Sequence, residues 1–415
     1  MPLADTTTAI PYRDLTQCLA CGSPDPAPYL DLGAQPLAND YPAEPIDLPR
    51  APLAVAYCGS CSHSQLTVSV DPSTLFKNYL YVSGTTQTLR DYFAAFVEDV
   101  EHAQGSSLRV LDIASNDGSL LKAFRARGHS VQGVDPATNL VAEAEAAGIP
   151  TVNAFWDGAV ADELGRFDVI VAMNVLAHVP DPLSFLEAAR ATLAPGGRAY
   201  LQTSQANMFV NHEFDTVYHE HLSYFAVRSF LTLFGRAGLR PIALSKPPVH
   251  GTSYLWTCIA DDGEAGLPVG IAEMLEEEAA AGWHDFSSYR DFGAVAADRA
   301  KWTRETLEGF HADGLRVVGY GAAAKGNTFL NYAGIKLTEI FEDNDLKVGR
   351  FAPGTLAPIR SSRDIAGIAD RLCVLIPAWN FADEIISRVK AIRAQDSPGG
   401  DTFVTYFPEG RIVTT

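Results

Sequence analysis

Short apolar runs alternate with helical segments between residues 108 and 204, and this alternation constrains the fold more than any other feature of the chain. The predicted strands include LRVLDIA, VQGVDPA and FDVIVAMNVLAHV, and the predicted helices include SLLKAFRARG, LVAEAEAAG and PLSFLEAARATLAPGG. Strands that alternate with helices are typical of a parallel sheet covered by helices on its faces. The sequence therefore predicts an α/β fold for this part of the chain.

The chain has 415 residues, which exceeds the length that a single core usually supports, and its patterns divide it into three predicted domains. Residues 1–75 are rich in Pro and Gly, and residues 76–245 carry the alternation. After the Pro-rich seam KPPVHG, residues 246–415 contain a long helical stretch at roughly 268–312. Predicted strands and helices then alternate again in the stretches RVVGYGAAAKGN, TEIFEDND and RLCVLIPAW. We predict a second, smaller α/β domain there.

The composition is that of a folded protein with an acidic surplus, with 47% hydrophobic residues and a formal net charge of −19. This charge disfavours attraction to nucleic acid or to an anionic membrane surface, because both depend on accumulated Lys and Arg. No uninterrupted run of about 18 apolar residues occurs, and the start MPLADTTTAIPYRD lacks the regions of a signal peptide. We expect a cytoplasmic protein without nucleic-acid or membrane partners, and a monomer is compatible with the sequence.

Four of the six cysteines form two C-x-x-C pairs near the amino terminus: Cys18, Cys21, Cys58 and Cys61. In a reducing compartment such pairs indicate metal ligands before disulfides. Four thiolates complete a tetrahedral zinc ion and leave no position for water, so the ion would stabilise a zinc ribbon rather than do chemistry. The insert between the pairs is longer than the usual spacing of about 15–20 residues. Surface thiols or a redox pair remain the alternative.

A tight polar turn, ASNDG, joins the first predicted strand to its helix at residues 114–118. An open α/β sheet binds its ligand at such strand ends, but the single Gly118 does not make a dinucleotide fingerprint. The second strand ends at Asp135, which is placed to accept both hydrogen bonds of a ribose diol. The third strand edge, VNAFW, offers side chains that can bond to or stack on an adenine: Asn153, Phe155 and Trp156. A turn without a cofactor remains the alternative.

The stretch TVYHEHLSYF places four proton-handling side chains in consecutive positions: Tyr218, His219, Glu220 and His221. A C–H next to a carbonyl is a weak acid, so its removal needs a positioned base and donors that stabilise the enolate oxygen. The stretch could supply a His as base, a Glu to fix its tautomer and Tyr hydroxyls to bond oxygen. In an extended segment Tyr218 and Glu220 would face away from the two histidines. A structural role, or metal binding by His219, Glu220 and His221, remains open.

The cofactor motifs resemble those of class I S-adenosylmethionine-dependent methyltransferases. The resemblance implies that four residues surround the methionine part: Asp112, Ala114, Asn116 and Gly118. It implies that Asp135 binds the ribose and that Asn153 and Phe155 lie near the base. Ala114 stands where the family usually has glycine, so we expect a tighter approach on the sulfonium side.

The order of the paired cysteines, SNDG, YHEHLSYF and the late GYGAAAKGN resembles a more specific family, over nearly the whole chain. These are the sugar C-methyltransferases that act on deoxythymidine diphosphate (dTDP)-linked keto-deoxysugars in antibiotic pathways. The resemblance implies a class I, Rossmann-like domain between a zinc-ribbon-like domain and a smaller α/β domain that contributes to the nucleotide-sugar cleft. It also implies S-adenosylmethionine as cofactor and a structural zinc ion.

By the same resemblance the base is a His of the Y-H-E-H run, by position His221, with Glu220 and Tyr218 assisting. It would take the proton from a carbon alpha to the C4 ketone, most often C3 and in some relatives C5, and the enolate would attack the sulfonium methyl. Further residues are expected to line the sugar or nucleotide pocket, each with a packing role as the alternative: Tyr79, Tyr81, His178, Tyr224, Lys325 and Asn327.

Two other functions fit the same sequence. One keeps the cofactor but methylates an oxygen or nitrogen of a secondary metabolite. The other is a non-catalytic zinc-ribbon binding protein with a vestigial cofactor fold. Proton exchange next to a ketone separates the first from a C-methyltransferase, and thermal protection by S-adenosylmethionine separates the second.

Overall fold

The structure is a computed structural model, and it describes residues 10–76, 82, 84, 87–204, 206–249, 251–261, 263, 266–393 and 400–414. Within these residues the strands form four sheets, of two, four, seven and six strands. None of the described helices combines the length and the hydropathy that crossing a membrane requires.

The amino-terminal part is built from short strands and one short helix: β1 (Tyr12–Asp14), β2 (Ala27–Gln35), β3 (Ala51–Cys58), β4 (His63–Leu66), β5 (Val68–Val70) and α1 (Pro72–Phe76). Strands β2, β3 and β4 are antiparallel neighbours, and β1 pairs with β5. The second C-x-x-C pair lies in the tight connection from β3 to β4, where Ser62 N donates to Cys58 O at 2.8 Å.

The central part continues with α2 (Gln87–Gln104), β6 (Arg109–Ile113), α3 (Ser119–Ala126), β7 (Ser130–Asp135), α4 (Thr138–Ala146), β8 (Thr151–Asn153), α5 (Gly158–Leu164), β9 (Phe167–Met173), α6 (Pro182–Ala191), β10 (Leu193–Ser204), α7 (Met208–Asn211), β11 (Ser223–Tyr224), α8 (Val227–Ala237), β12 (Leu239–Ser245) and β13 (Ser253–Ala260).

The seven-stranded sheet has the order β12-β13-β10-β9-β6-β7-β8. Strands β6 to β10 are parallel, and β13 runs antiparallel to both of its neighbours. The chain moves from β6 to β7 on one side and returns to β9 on the other, so a ligand crevice opens at the carboxyl ends of β6 and β9. The predicted α/β fold is confirmed. Strand β13 lies past residue 245, the predicted end of the central domain, and still belongs to this sheet.

The apolar pattern explains why these elements form. Strand β9 is almost entirely apolar, and Val169, Ile170 and Val171 are fully buried because helices cover both faces of the sheet. Helix α8 buries one face, on which Phe230, Leu233, Phe234 and Ala237 recur at helical spacing. Burying each of the larger side chains stabilises the fold by roughly 1.5–3 kcal/mol.

The carboxy-terminal part contains α9 (Val269–Ala280), α10 (Phe286–Ala312), β14 (Arg316–Tyr320), α11 (Ala324–Ala333), β15 (Ile340–Glu342), β16 (Ile359–Ser361), β17 (Leu372–Leu375), α12 (Ala382–Arg393), β18 (Thr402–Thr405) and β19 (Arg411–Thr414). Its six-stranded sheet has the order β16-β15-β14-β17-β18-β19, with β19 antiparallel. The long helical stretch predicted at 268–312 consists of two helices, because a turn that contains Gly282 interrupts it.

The amino-terminal sheet is fixed to both other parts of the chain. The short strand β11, which follows the Y-H-E-H run, pairs with β4 as the fourth strand of that sheet. On the other side, the Tyr41 hydroxyl donates to Ala322 O at 2.7 Å. The Tyr29 ring contacts the Tyr289 ring of α10 edge-on, with 5.2 Å between centroids. The small amino-terminal sheet therefore braces the segment that carries the candidate base.

Candidate active site

A large cleft lies at the carboxyl ends of β6, β7 and β9. Its volume is about 1380 Å³, whereas one small ligand commonly occupies a pocket of about 300–1,000 Å³. Its walls come from the ASNDG turn, from the Y-H-E-H run and from residues 323–325 of the carboxy-terminal part. The cleft has room for two ligands, one against each of the two α/β sheets.

The ASNDG turn reaches the cleft through Ala114 and Asn116, and Asp135 lies beside them. Asn116 N donates to Asp135 Oδ2 at 2.8 Å, and Ala137 N donates to Oδ1 at 2.8 Å. Burial raises the pKa of Asp135, and these two backbone hydrogen bonds act in the opposite direction. Asp135 therefore fixes two loops at the strand ends while its carboxylate faces the cleft.

Three of the other predicted cofactor residues do not line the cleft, but lie behind the lining residues and support them. Asp112 is buried. Its burial, together with the negative charges of Asp135 and Asp117, raises the pKa of Asp112 well above its ordinary value. Gly118 is the residue before α3, and a Cβ there would press on Ala144 and Ile149. Asn153 Nδ2 donates to Asp135 O at 3.0 Å. Phe155 and Trp156 do line the cleft, and Phe155 has an exposed fraction of 43%.

The turn carries backbone strain at Ala114. This residue has φ +61°, in the left-handed region that a side chain with a Cβ rarely adopts. Such a conformation costs about 1–2 kcal/mol, and strain of this kind clusters at ligand sites. The alanine at this position therefore has a strained backbone, and the tighter approach to the sulfonium side stays a prediction.

We predict that Ala114→Gly raises the free energy of unfolding by about 1 kcal/mol, because the relief of strain exceeds the extra chain entropy of glycine. Thermal and urea unfolding measure the change. The matched control is Ala142→Gly on the exposed face of α4, which should lower stability by about 1 kcal/mol. Equal destabilisation by both substitutions would contradict the strain at Ala114.

The Y-H-E-H run is folded into a turn and is not extended. His221 N donates to Tyr218 O at 2.9 Å, which brings the two side chains to the same side. The Tyr218 hydroxyl lies 3.0 Å from His221 Nε2, and the ring centroids are 4.1 Å apart. In an extended segment the side chains of Tyr218 and His221 would face in opposite directions, but here both line the cleft.

A backbone carbonyl sets the tautomer of His221. Nδ1 lies 2.7 Å from Thr216 O, and a carbonyl oxygen only accepts, so Nδ1 carries the proton. Nε2 then has the lone pair and accepts from the Tyr218 hydroxyl. The sequence suggested that Glu220 fixes the tautomer of the imidazole, but the carbonyl of Thr216 does so. Thr216 also lines the cleft.

The surroundings keep this imidazole neutral. Burial lowers the pKa of His221 well below its ordinary value of 6.5, the nearby His178 and Lys325 lower it further, and Thr216 O opposes them. The His178 ring lies 4.9 Å from the His221 ring, and burial lowers its own pKa to about 4. A neutral imidazole with a lone pair on Nε2 can act as a general base at neutral pH.

The other two members of the run contact the amino-terminal part of the chain, and Tyr224, which follows the run, is also away from the cleft. Glu220 Oε1 accepts from Asn39 Nδ2 at 2.7 Å, and His219 Nε2 lies 3.2 Å from Pro52 O. Tyr224 is fully buried in β11. Among the cleft-lining residues that the structure describes, none of these three occurs. The cleft therefore receives Tyr218 and His221 from this segment.

The remaining predicted pocket residues have different positions. His178 and Lys325 line the cleft, and Lys325 Nζ donates to Asn380 Oδ1 at 2.8 Å. Asn327 is buried and donates through Nδ2 to Ala38 O at 2.9 Å, so it joins α11 to the amino-terminal insert. Tyr79 and Tyr81 lie outside the described residues.

Several cleft residues were not predicted from the sequence: Glu213, Thr216, Asn380, Phe381 and Glu384. Asn380 and Phe381 follow β17, so the strand-end rule that identified ASNDG could have found them. Burial raises the pKa of Glu213, which accepts from Asn211 Nδ2 at 2.7 Å. No local pattern distinguishes Glu213 or Thr216.

The four paired cysteines form a compact cluster. The Sγ atoms of Cys18 and Cys61 are 3.6 Å apart, those of Cys21 and Cys58 are 3.5 Å apart, and all four lie within 4.8 Å of one another. Zinc–sulfur bonds of about 2.3 Å in a tetrahedron require sulfur atoms about 3.8 Å apart, so the cluster fits zinc. Among the described residues it is the one group of three or more His, Cys, Asp or Glu side chains whose ligand atoms lie close enough together to hold a metal ion.

Three family models match successive parts of the chain. Residues 18–76 match a family described as "Putative zinc binding domain", residues 85–244 match a methyltransferase domain, and residues 248–408 match a C-methyltransferase C-terminal domain. With the geometry of the cysteine cluster, the first match confirms the predicted structural zinc site.

Individual relatives cover the chain to different extents. The C-methyltransferase NovU of Streptomyces niveus is 32% identical over 97% of this chain and 98% of its own length. A ubiquinone biosynthesis O-methyltransferase of Pseudomonas aeruginosa strain LESB58 is 34% identical over 26% of this chain and 49% of its own length. The crystal structure of magnesium protoporphyrin IX methyltransferase from Synechocystis PCC 6803 aligns with a TM-score of 0.33, 16% identity, and coverage of 42% and 79%.

Proposed function

The chain belongs to the C-methyltransferase family that includes NovU, and from this premise we propose that it methylates a carbon of a dTDP-linked 4-keto-deoxysugar. The fold is the predicted one, a class I methyltransferase domain between a zinc-binding domain and a carboxy-terminal α/β domain. The proposed methyl donor is S-adenosylmethionine, and the proposed site of methylation is C3, the carbon next to the ketone.

The observation that carries this proposal is the neutral imidazole of His221 at the wall of a cleft with room for two ligands. Transfer to an oxygen or nitrogen often needs little help, because those atoms have lone pairs. A carbon becomes nucleophilic only after it loses a proton, and this requires a base of the kind that Thr216 O and burial create here.

The donor would be held by the wall of the central domain. Ala114 and Asn116 would face its methionine part, Asp135 its ribose, and Phe155 its base. When bound, S-adenosylmethionine supplies an electrophilic methyl group on a sulfonium. Asp135 fits this role because its carboxylate is already oriented by two backbone hydrogen bonds and faces the cleft.

The sugar would lie between this wall and the Y-H-E-H run. His221 Nε2 takes the proton from the carbon alpha to the ketone, and the electron pair of the C–H bond forms the enolate. The Tyr218 hydroxyl donates to that nitrogen at 3.0 Å, and with the sugar bound it would donate instead to the oxygen on which negative charge develops, which frees the Nε2 lone pair to take the proton. His178 contacts the His221 ring, and because burial lowers its pKa to about 4 it is neutral at the same pH.

Mass spectrometry tests the proposal most directly. The protein is incubated with S-adenosylmethionine and a panel of dTDP-linked 4-keto sugars, and the product is fragmented. We expect one added methyl group on a sugar carbon next to the ketone. A methyl group on oxygen or nitrogen, or no product from any sugar of the panel, would contradict the proposal.

The lowered pKa of His221 predicts the acid limb of the pH profile. Because protonation inactivates the base, and because its pKa lies below 6.5, kcat/KM should stay constant from pH 8 down to about pH 6.5. It should fall only at more acidic pH. Steady-state rates in a constant-ionic-strength buffer series measure this, and an acid limb with its inflection above pH 6.5 would contradict a neutral, buried base.

A further inference from the structure

A second, smaller cavity adjoins the cleft at the carboxyl ends of β14 and β15. Its volume is about 300 Å³, which is at the lower end of small-ligand sites. Four residues line both the cavity and the cleft: Ala323, Ala378, Phe381 and Glu384. A ligand in the cleft can therefore extend into the cavity.

The position of this cavity follows from the second α/β sheet. The chain moves from β14 to β15 on one side and later returns to β17 on the other, so a crevice opens at the ends of β14 and β17. A Cβ on Gly321 would lie 2.9 Å from Ala378 Cβ, and one on Gly326 would collide with Pro377. These two glycines thus allow the turn before α11 and the first turn of α11 to pack against Pro377 and Ala378, which follow β17.

The turn after β17, residues 379–381, connects the cavity to the cleft. The Trp379 indole donates to buried Asp215 at 2.9 Å, which fixes the turn. Lys325 Nζ is held by Asn380 and lies 4.3 Å from the centre of the Trp379 ring. Phe381 extends from this fixed turn with 60% of its surface exposed, although it lines both cavities.

Two exposed aromatic rings thus lie on opposite walls of one cleft. Phe155, with 43% exposed, belongs to the wall of the central domain that would hold the methyl donor. Phe381 belongs to the carboxy-terminal wall. Lys325 lies on that same wall and is close enough to His221 to lower its pKa, so the lysine is near both the aromatic ring and the base.

We propose that Phe381 is the stacking platform for the pyrimidine base of a nucleotide-linked substrate, with the nucleoside in the second cavity and the diphosphate at Lys325. The proposal rests on the proposed function and specifies how its substrate is held. A base has flat apolar faces that stack on an aromatic ring, and a diphosphate pairs with a lysine. The rim of the cavity also has Glu384 and Arg388, which form an ion pair with 2.9 Å between Oε1 and Nη2.

Calorimetric titration with dTDP tests the proposal on the full-length protein. Phe381→Ala should weaken dTDP binding by about fivefold or more, the lower limit for loss of base–aromatic stacking. Phe381→Tyr should restore it. The matched control is Leu346→Ala, which removes another exposed apolar side chain, 55% exposed, outside both cavities and should change nothing.

Two further probes separate the base from the rest of the ligand. Inorganic pyrophosphate and S-adenosylmethionine should bind Phe381→Ala as they bind the wild type. The stacking role is overturned, while the proposed function stands, in either of two cases. One is that dTDP binds the wild type and Phe381→Ala equally, and the other is that the substitution weakens pyrophosphate binding as much as dTDP binding. A wild type that binds no dTDP and methylates no dTDP-linked sugar would overturn both.

Discussion

His221→Ala is expected to lower the rate of methyl transfer by about 100- to 10,000-fold, which is the usual contribution of a positioned general base. The substitution removes the lone pair of Nε2 that faces the cleft, and the neighbouring His178 is a poor replacement, because burial lowers its pKa to about 4 and makes it a weak base. Binding of S-adenosylmethionine should survive, because its wall lies on the other side of the cleft. Single-turnover methylation, together with thermal protection by the donor, measures the two effects separately.

The control for His221 is His219, two residues away in the same run. His219 is buried against Pro52 O and Ala51 O and does not line the cleft. His219→Ala should lower thermal stability, because it removes a buried ring, but the folded fraction should methylate at nearly the wild-type rate. If His221→Ala retains turnover within tenfold of the wild type, His221 is not the base.

Removal of the zinc ion should have the second large effect, on both structure and turnover. Binding of a structural zinc contributes on the order of 10 kcal/mol, and the small amino-terminal sheet has few other means to stay folded. The amino-terminal part holds the Y-H-E-H run: Leu66 N in β4 donates to Leu222 O at 2.9 Å, and Asn39 in the insert donates to Glu220. Without zinc the base should lose its position, and turnover should fall by at least tenfold.

Cys58→Ser and treatment with a chelator both test this prediction. Zinc content, limited proteolysis of residues 10–76 and methylation rate are measured together. Cys373→Ala is the matched control, since Cys373 is buried in β17 and remote from the cluster, and it should keep its zinc and its rate. Full turnover in protein shown to be free of zinc would contradict a bracing role for the metal.

The sequence predicted those parts of the fold and site that follow from local patterns. The alternation of strands and helices predicted the central sheet, and the strand-end rule placed Ala114, Asn116 and Asp135 at a ligand crevice, where the structure has them. The C-x-x-C spacing predicted the zinc cluster, because ligand pairs of this kind come together through tight turns.

The residues that sequence reasoning misplaced depend on contacts between distant segments. Asn327 was expected in the nucleotide cleft, but it bonds to Ala38 in the amino-terminal insert. Glu220 was expected to orient His221, but it bonds to Asn39, and the carbonyl of Thr216 takes that position. Every residue has a carbonyl, so no pattern in the sequence could single out this one.

The central claim is that His221 removes a proton from a carbon next to the ketone, and proton exchange tests it without methyl transfer. The dTDP-linked keto sugar is incubated in deuterium oxide with the protein and S-adenosylhomocysteine, which has no methyl group to donate. The wild type should introduce deuterium at the carbon alpha to the ketone, and His221→Ala should not exceed the rate in buffer alone. Exchange by His221→Ala at the wild-type rate, or no exchange by a wild type that methylates the same sugar, would contradict the claim.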